Sequence, residues 1–223
     1  MKHLKKNIGI TTAAIVLSLS QTAYATPKNI ADGYIGGDNH NYGDVIGNAN
    51  NFDISSMDVE LIGNTLPVSI NTAFAGKADN HLFDSLTNNK GIGYGDLFLS
   101  SAWTPFGSAP YTDDNNTNGT VWSYGFSLDD RWMSETQNGS AGSGTLYSLN
   151  SGNNNADALL SEDFLTSGTF RNGQGIAVDT VNGNVTAITG NSSWNITAGK
   201  VNFLIDLTGT TLANESTIAL HWA

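Results

Sequence analysis

The chain contains no cysteine, which removes thiol nucleophiles, disulfides and cysteine metal sites from the chemistries open to it. A body of about 200 residues has core enough to fold without disulfides, so their absence is compatible with an oxidising exterior. Cations are scarce too: 9 Lys and Arg stand against 20 Asp and Glu, a net charge of −11. That balance repels nucleic acid phosphates and anionic lipid surfaces, and suits either solubility or divalent cations. Catalytic signatures are equally thin. The four histidines, His3, His40, His81 and His221, form no H-E-x-x-H pair. There is no G-x-S-x-G elbow, no phosphate loop and no strand-to-helix G-x-G-x-x-G. Carboxylates such as Asp129, Asp130, Glu135, Glu162 and Asp163 are what glycoside hydrolysis would need. In a chain this acidic, neighbouring carboxylates are no sign of catalysis. The expectation is a protein that is not an enzyme, with a secreted glycoside hydrolase the nearest enzyme class.

What is present begins with an address. Lys2, Lys5 and Lys6 form a positive start, residues 8–19 are apolar, and Ala23-Tyr24-Ala25 is a small-x-small cleavage pattern. The apolar stretch is too short, and too interrupted by Thr11, Thr12 and Ser18, to cross a bilayer of about 30 Å. Residues 1–25 therefore read as a signal peptide and 26–223 as one domain, secreted or held at the cell surface. Cleavage would remove three lysines and leave 6 basic against 20 acidic residues, a net charge of −14.

The remainder is rich in Gly, Asn, Ser and Thr, with short apolar clusters between turn formers, the pattern of many short strands. Alternation runs through Met57, Val59 and Leu61 and resumes after Gly63-Asn64 at Leu66, Val68 and Ile70, a hairpin. Further strands are expected over 96–100, 120–127, 144–149, 175–179, 184–189, 193–197, 200–206 and 217–222. Asn182-Gly183 predicts that 175–179 and 184–189 form a hairpin. Apolar residues at helical spacing, with Asn155 as cap, predict one short helix over 155–165. No internal repeat, Pro-rich linker or composition break divides the chain. The fold class expected is all-β: a two-sheet β-sandwich or jelly roll with long Asn/Gly-rich loops and at most one short helix.

Two oxygen-rich stretches are candidate calcium sites. Asp114, Asn116 and Asn118 with Gly119 fit D-x-[DN]-x-[DN]-G, where alternating oxygens wrap a cation and glycine makes the turn. The twelfth position is Gly125 rather than the bidentate Glu, so the rest of the shell must come from elsewhere; a solvated turn is the ordinary alternative. Residues 32–44 bring Asp38 and Asp44 together with Tyr34 and Tyr42, as an ion loop, a sugar platform or a plain lead-in to the first strand. Tyr-Gly-Asp recurs at Tyr94-Gly95-Asp96, so Asp44 and Asp96 are candidates to share one ion. Among five tryptophans, Trp122 and Tyr124 alternate along a strand and are expected to share a core face. Trp103, before Thr104-Pro105-Phe106-Gly107, sits in a loop and is the candidate for stacking on a sugar, with Tyr42 and Tyr34 as further ligand-binding candidates.

Several segments together resemble the PEP-CTERM (exosortase-sorted) exported surface proteins of bacteria: Gly43-Asp44-Val45-Ile46-Gly47, Gly93-Tyr94-Gly95-Asp96-Leu97-Phe98, Asn118-Gly119-Thr120-Val121-Trp122 and Phe203-Leu204-Ile205-Asp206 with Ile218-Ala219-Leu220-His221-Trp222. The resemblance implies a surface-exposed β-sandwich in bacteria that make extracellular polysaccharide and biofilm. It carries over no binding or catalytic residue, and the sorting tail of that family is absent after Trp222. The functional expectation is a non-catalytic secreted or cell-surface matrix protein stabilised by Ca2+. Its alternatives are a carbohydrate-binding module for extracellular polysaccharide, or a self-associating subunit whose strand near 218–222 completes a neighbour's sheet. No nucleic acid partner and no membrane insertion after cleavage are expected.

Overall fold

The computed structural model describes residues 27–31, 49–78, 91–108, 111, 114–132, 141–150, 152, 154–161, 173–215 and 217–222. Residues 1–25 and Tyr34, Asp38, Tyr42 and Asp44 lie outside them. Among the described residues no helix is long and apolar enough to cross a membrane.

The chain is nearly all β. In order it forms β1 (Lys28–Ala31), a single α-helical turn (Ala49–Phe52), β2 (Ile54–Val59), β3 (Thr65–Thr72), β4 (Leu97–Ser100), β5 (Tyr124–Leu128), β6 (Ala141–Leu149), β7 (Leu159–Ser161), β8 (Gly175–Val178), β9 (Val185–Ile188), β10 (Ser193–Thr197) and β11 (Lys200–Asp206). A 3-10 turn (Thr211–Asn214) precedes β12 (Ala219–Trp222). One antiparallel sheet runs β1-β2-β3-β11-β10-β6-β5-β4-β12, and β9 joins it on β6. A separate two-stranded sheet pairs β7 with β8.

The large sheet curls onto itself at β6. The first residues of β6 pair with β10 and the last with β9, while β5 lies along its other edge. Gly144 stands at this corner because a Cβ there would lie 2.4 Å from the Phe126 ring and 2.5 Å from the Ser127 carbonyl. The two halves close face to face on one core. From the first half come Leu66, Val68, Ile70, Val201, Phe203 and Ile205; from the second come Leu97, Leu99, Tyr124, Phe126 and Leu146. Alternation places them. The odd positions of β3 are half-exposed and the even ones buried, and Ile70, Val68 and Leu66 stand opposite Val201, Phe203 and Ile205. Burying each such side chain contributes roughly 1.5–3 kcal/mol. The sandwich-like all-β fold expected from the sequence is the fold observed.

The hairpin of β2 and β3 turns through Ile62-Gly63-Asn64-Thr65, with Ile62 N donating to Thr65 O (2.8 Å) and Thr65 N to Ile62 O (3.0 Å). Gly63, at φ 59°, takes the first central position, as a glycine-led hairpin turn requires.

Three sequence expectations need correction. Residues 155–161 form no helix: Ala158 N and Leu159 N both donate to Asn155 O, one turn closes, and Leu159–Ser161 become β7. Pairing with β8 wins because it buries Leu159 against Val178 and Phe98, which a lone helix turn could not do. The hairpin expected across Asn182-Gly183 does not form either. β8 pairs with β7 and β9 with β6, so the turn carries the chain from one sheet to the other. Gly183 is outside the left-handed region that a tight Asn-Gly hairpin turn needs, and Asn182 Oδ1 instead accepts from Asn184 N at 2.9 Å. Finally, Trp122 and Tyr124 do not share a face. Strand β5 begins only at Tyr124, the chain bends at Ser123, and Trp122 packs on a second, smaller core while Tyr124 enters the main one.

That second core decides the shape of one end. Phe98, Leu149, Ala158, Leu159 and Val178 are buried together between the outer surface of β4-β5-β6 and the β7-β8 sheet. All four residues of β4 are therefore buried.

Candidate functional site

The connection from β4 to β5 is the loop of residues 101–123, and most of the described candidate residues lie on it. Thr104 N donates to Thr120 Oγ1 (2.9 Å), and Phe106 N donates to the Asp114 carboxylate (2.7 Å). Tyr111 N donates to Ser108 O (2.7 Å), and Asp114 N to Tyr111 O (3.1 Å). The loop is also fastened to its surroundings. Asn116 N donates to Gly173 O, Asn155 N to Asn116 O, and Gln174 Nε2 to Asp114 O. Asn155, wholly buried, accepts from Trp122 N (2.6 Å) and donates to Trp122 O (3.0 Å), which holds the loop's exit to the start of β7.

On this base Trp103 is 59% exposed and Phe106 is 49% exposed. The Trp103 and Tyr111 rings lie 5.2 Å apart at 79°, nearly perpendicular. Tyr111 has a φ of 59°, the only non-glycine in the left-handed region among the described residues. The sequence reading picked Trp103 and missed Tyr111 and Phe106. The signal was the spacing Trp-x-Pro-Phe followed by Pro-Tyr, aromatics beside prolines in a segment with no strand alternation.

Asp114, Asn116 and Asn118 fall in one turn. Asn115 Oδ1 accepts from Thr117 N (2.9 Å), Thr117 Oγ1 (2.6 Å) and Asn118 N (3.2 Å), and Asn118 Oδ1 accepts from Asn115 N (3.2 Å). Gly119 N closes the turn on Asn115 O. Glycine is needed there because a Cβ at position 119 would come within 2.3 Å of Asp114 Oδ1. Among the described residues no group of three or more His, Asp or Glu side chains gathers as metal ligands.

Asp96 lies apart from this turn. It immediately precedes β4, whose first residue the sequence reading placed here, and it is completely buried. Its carboxylate accepts from Leu128 N (3.1 Å) and Val178 N (2.7 Å) and pairs with Arg131 Nη2 at 3.0 Å. Arg131 Nη1 also donates to Tyr94 O (3.1 Å), and Asp96 N to Ile176 O. Burial pushes the Asp96 carboxyl above the ordinary carboxylate range; Arg131 and the two main-chain N–H groups pull it back only in part. Asp96 thus ties β4, β5 and β8 together, with the Arg131 guanidinium as its charge partner; Asp44, the other candidate for a shared ion, lies outside the described residues. In a chain with 9 cationic residues, an Arg two residues after Asp129 was the available hint.

Of the carboxylates considered for hydrolysis, Asp129 and Asp130 are exposed at the end of β5, and Asp129 accepts from Ser143 Oγ (2.7 Å). Glu135, Glu162 and Asp163 lie outside the described residues. A shallow cleft of about 250 Å³ opens where β6 passes from β10 to β9, lined by Gly144, Thr145, Ala187, Thr189 and Ser192 among others, with no charged side chain.

Compared with protein-family models, with curated proteins and with solved structures, the chain matches none, so none of the three supports the resemblance to exosortase-sorted proteins.

Proposed function

We propose that this is a non-catalytic protein of the cell exterior, a β-sandwich that binds extracellular carbohydrate through the aromatics of its β4–β5 loop. The observation that carries the reading is the exposure of Trp103 and Phe106 on a loop that main-chain and side-chain hydrogen bonds hold in place. Large aromatic side chains are normally buried, and here Tyr94, Tyr124, Phe126, Trp194 and Phe203 are. A rigid aromatic surface on a loop needs little ordering on binding, which favours affinity. Export rests on the leader at 1–25.

The test is co-sedimentation of the exported protein with insoluble polysaccharide, wild type against Trp103→Ala. Retention lost in the variant supports the reading; equal retention, or none by the wild type, overturns it. Mass spectrometry of the exported protein is expected to find its N-terminus at Thr26.

Calcium at the 114–119 turn is the second reading, favoured by the close approach of Asp114 Oδ1 to Gly119, the closure that such ligand loops use. A ligand of the folded state raises its melting temperature. Calcium is therefore expected to raise it and chelator to reverse the rise, and an unmoved midpoint removes the ion.

A further inference from the structure

We infer that the ligand of the β4–β5 loop is a neutral, hydroxyl-rich pyranose, seated in the corner where the Trp103 and Tyr111 rings meet. This rests on the reading of that loop as a carbohydrate surface and names the class of carbohydrate.

Three observations lead to it. The first is the strain at Tyr111. A left-handed φ of 59° is unfavourable for a tyrosine, whereas glycine takes it freely and asparagine, abundant in this chain, takes it readily. A bulky side chain kept at such a position is a sign that the side chain itself is wanted. The second is what the strain achieves. It sets the Tyr111 ring at 79° to Trp103, so that two aromatic walls stand at nearly a right angle while Trp103 stays 59% exposed. A pyranose has an apolar C–H face to lay on one ring and an edge to set against the other.

The third is charge. No Lys or Arg occurs anywhere from 91 to 130, and the whole chain carries −11. An acidic polysaccharide would find no counter-charge within residues 91–130 and would meet a repulsive field. Among the loop's described residues the exposed polar groups are Ser101, Thr104, Ser108, Thr117 and Asn118, hydroxyls and an amide. These suit hydroxyl groups, which both donate and accept.

The experiment is affinity electrophoresis of the full exported chain in gels containing hydroxyethyl cellulose, a neutral glucan, or alginate, an acidic polymer. Wild type is expected to be retarded by the neutral polymer and not by alginate. Trp103→Ala and Tyr111→Gly are each expected to weaken retardation roughly tenfold, the worth of one aromatic contact. Tyr111→Gly carries a second readout: it relieves the left-handed strain, so its melting temperature stays level or rises while binding falls. Val181→Ala, at a site 93% exposed in the β8–β9 turn, is the control and should bind as wild type. Retardation by alginate as strong as by the neutral polymer overturns the neutral class but leaves the carbohydrate surface standing. Neutral binding untouched by both loop variants overturns the corner. Failure to bind either polymer overturns the inference together with the reading beneath it.

Discussion

The curled sheet has two outer surfaces, and they are finished in opposite ways. Over β1, β2, β3, β11 and β10 one row of side chains crosses the strands in register, Asn29, Asp58, Ser69, Asn202 and Asn195. Asn29 donates to Asp58, Ser69 donates to Asn202 (2.8 Å), and Asn202 donates to Asn195 (2.9 Å). Asn71 and Lys200 brace Asp58 from the next row. Over β4, β5 and β6 the equivalent surface is apolar, and β7-β8 lies on it. Gly125 is bare so that Val178 can settle there: an added Cβ would stand 2.5 Å from Val178 Cγ2. The polar surface meets water and satisfies itself sideways, at small net gain for each bond. The apolar surface gains by excluding water, but only if a second layer arrives, and Asp96 is the fastening that brings it.

Mutations should separate the two surfaces by size of effect. Asp96→Ala is expected to cost most, about 3–5 kcal/mol in urea unfolding, because it strands the half-buried Arg131 guanidinium and two main-chain N–H groups. A loss below about 1 kcal/mol would mean that β8 is held by packing alone. Gly125→Ala comes next, at about 1–3 kcal/mol from overpacking against Val178. Limited proteolysis should then show the β7-β8 layer cut before the main sheet. On the bare surface, Asn202→Ala removes bonds to Ser69, Asn195 and Thr197, yet water replaces them, and the loss should stay within about 1 kcal/mol. A larger loss would show the polar rows to be a structural network.

The smallest effect is in acid. The amides of Asn29 and Asn71, and then Lys200, hold the exposed Asp58 carboxyl below its ordinary 3.8, and Thr208 and the Asn191 N–H do the same for Asp206. The stability these two give is present above 3.8 and lost as pH falls through their lower folded values. Asp96 runs the other way. Its folded value lies above 3.8, so folding favours the protonated form, and its contribution declines as pH rises from 3.8 through that value. Urea midpoints of Asp58→Asn against wild type, over about pH 3 to 6, should differ in slope only on the acid side, and less in salt.

The bare surface was legible in the letters. Val201, Phe203 and Ile205 alternate with Asn202, Leu204 and Asp206, and a strand with one wet side must read that way. The covered surface was not. Leu97-Phe98-Leu99 gives no alternation, because both sides are buried. Leu159, Leu160 and Phe164 fell at helical spacing, while β8, 14 residues beyond Ser161, was what Leu159 needed. The candidate site divides in the same way. Trp103 stood out as a loop tryptophan, but the perpendicular Tyr111 depends on a backbone angle that spacing does not encode. The identity of Asp96's partner was hidden because 35 residues separate it from Arg131.

By itself, then, the order of residues determined the many short strands, the Gly63-Asn64 hairpin, the apolar side of β3 and β11 and the turn at Gly119, since each depends on neighbours within a few positions. Tertiary structure alone decided that β6 turns the corner, that β7-β8 covers β4 and β5, that Trp122 leaves the face of Tyr124, and that a buried carboxylate faces a guanidinium. Those outcomes arise from water excluded between segments far apart in the chain, and no local period records which segments will meet.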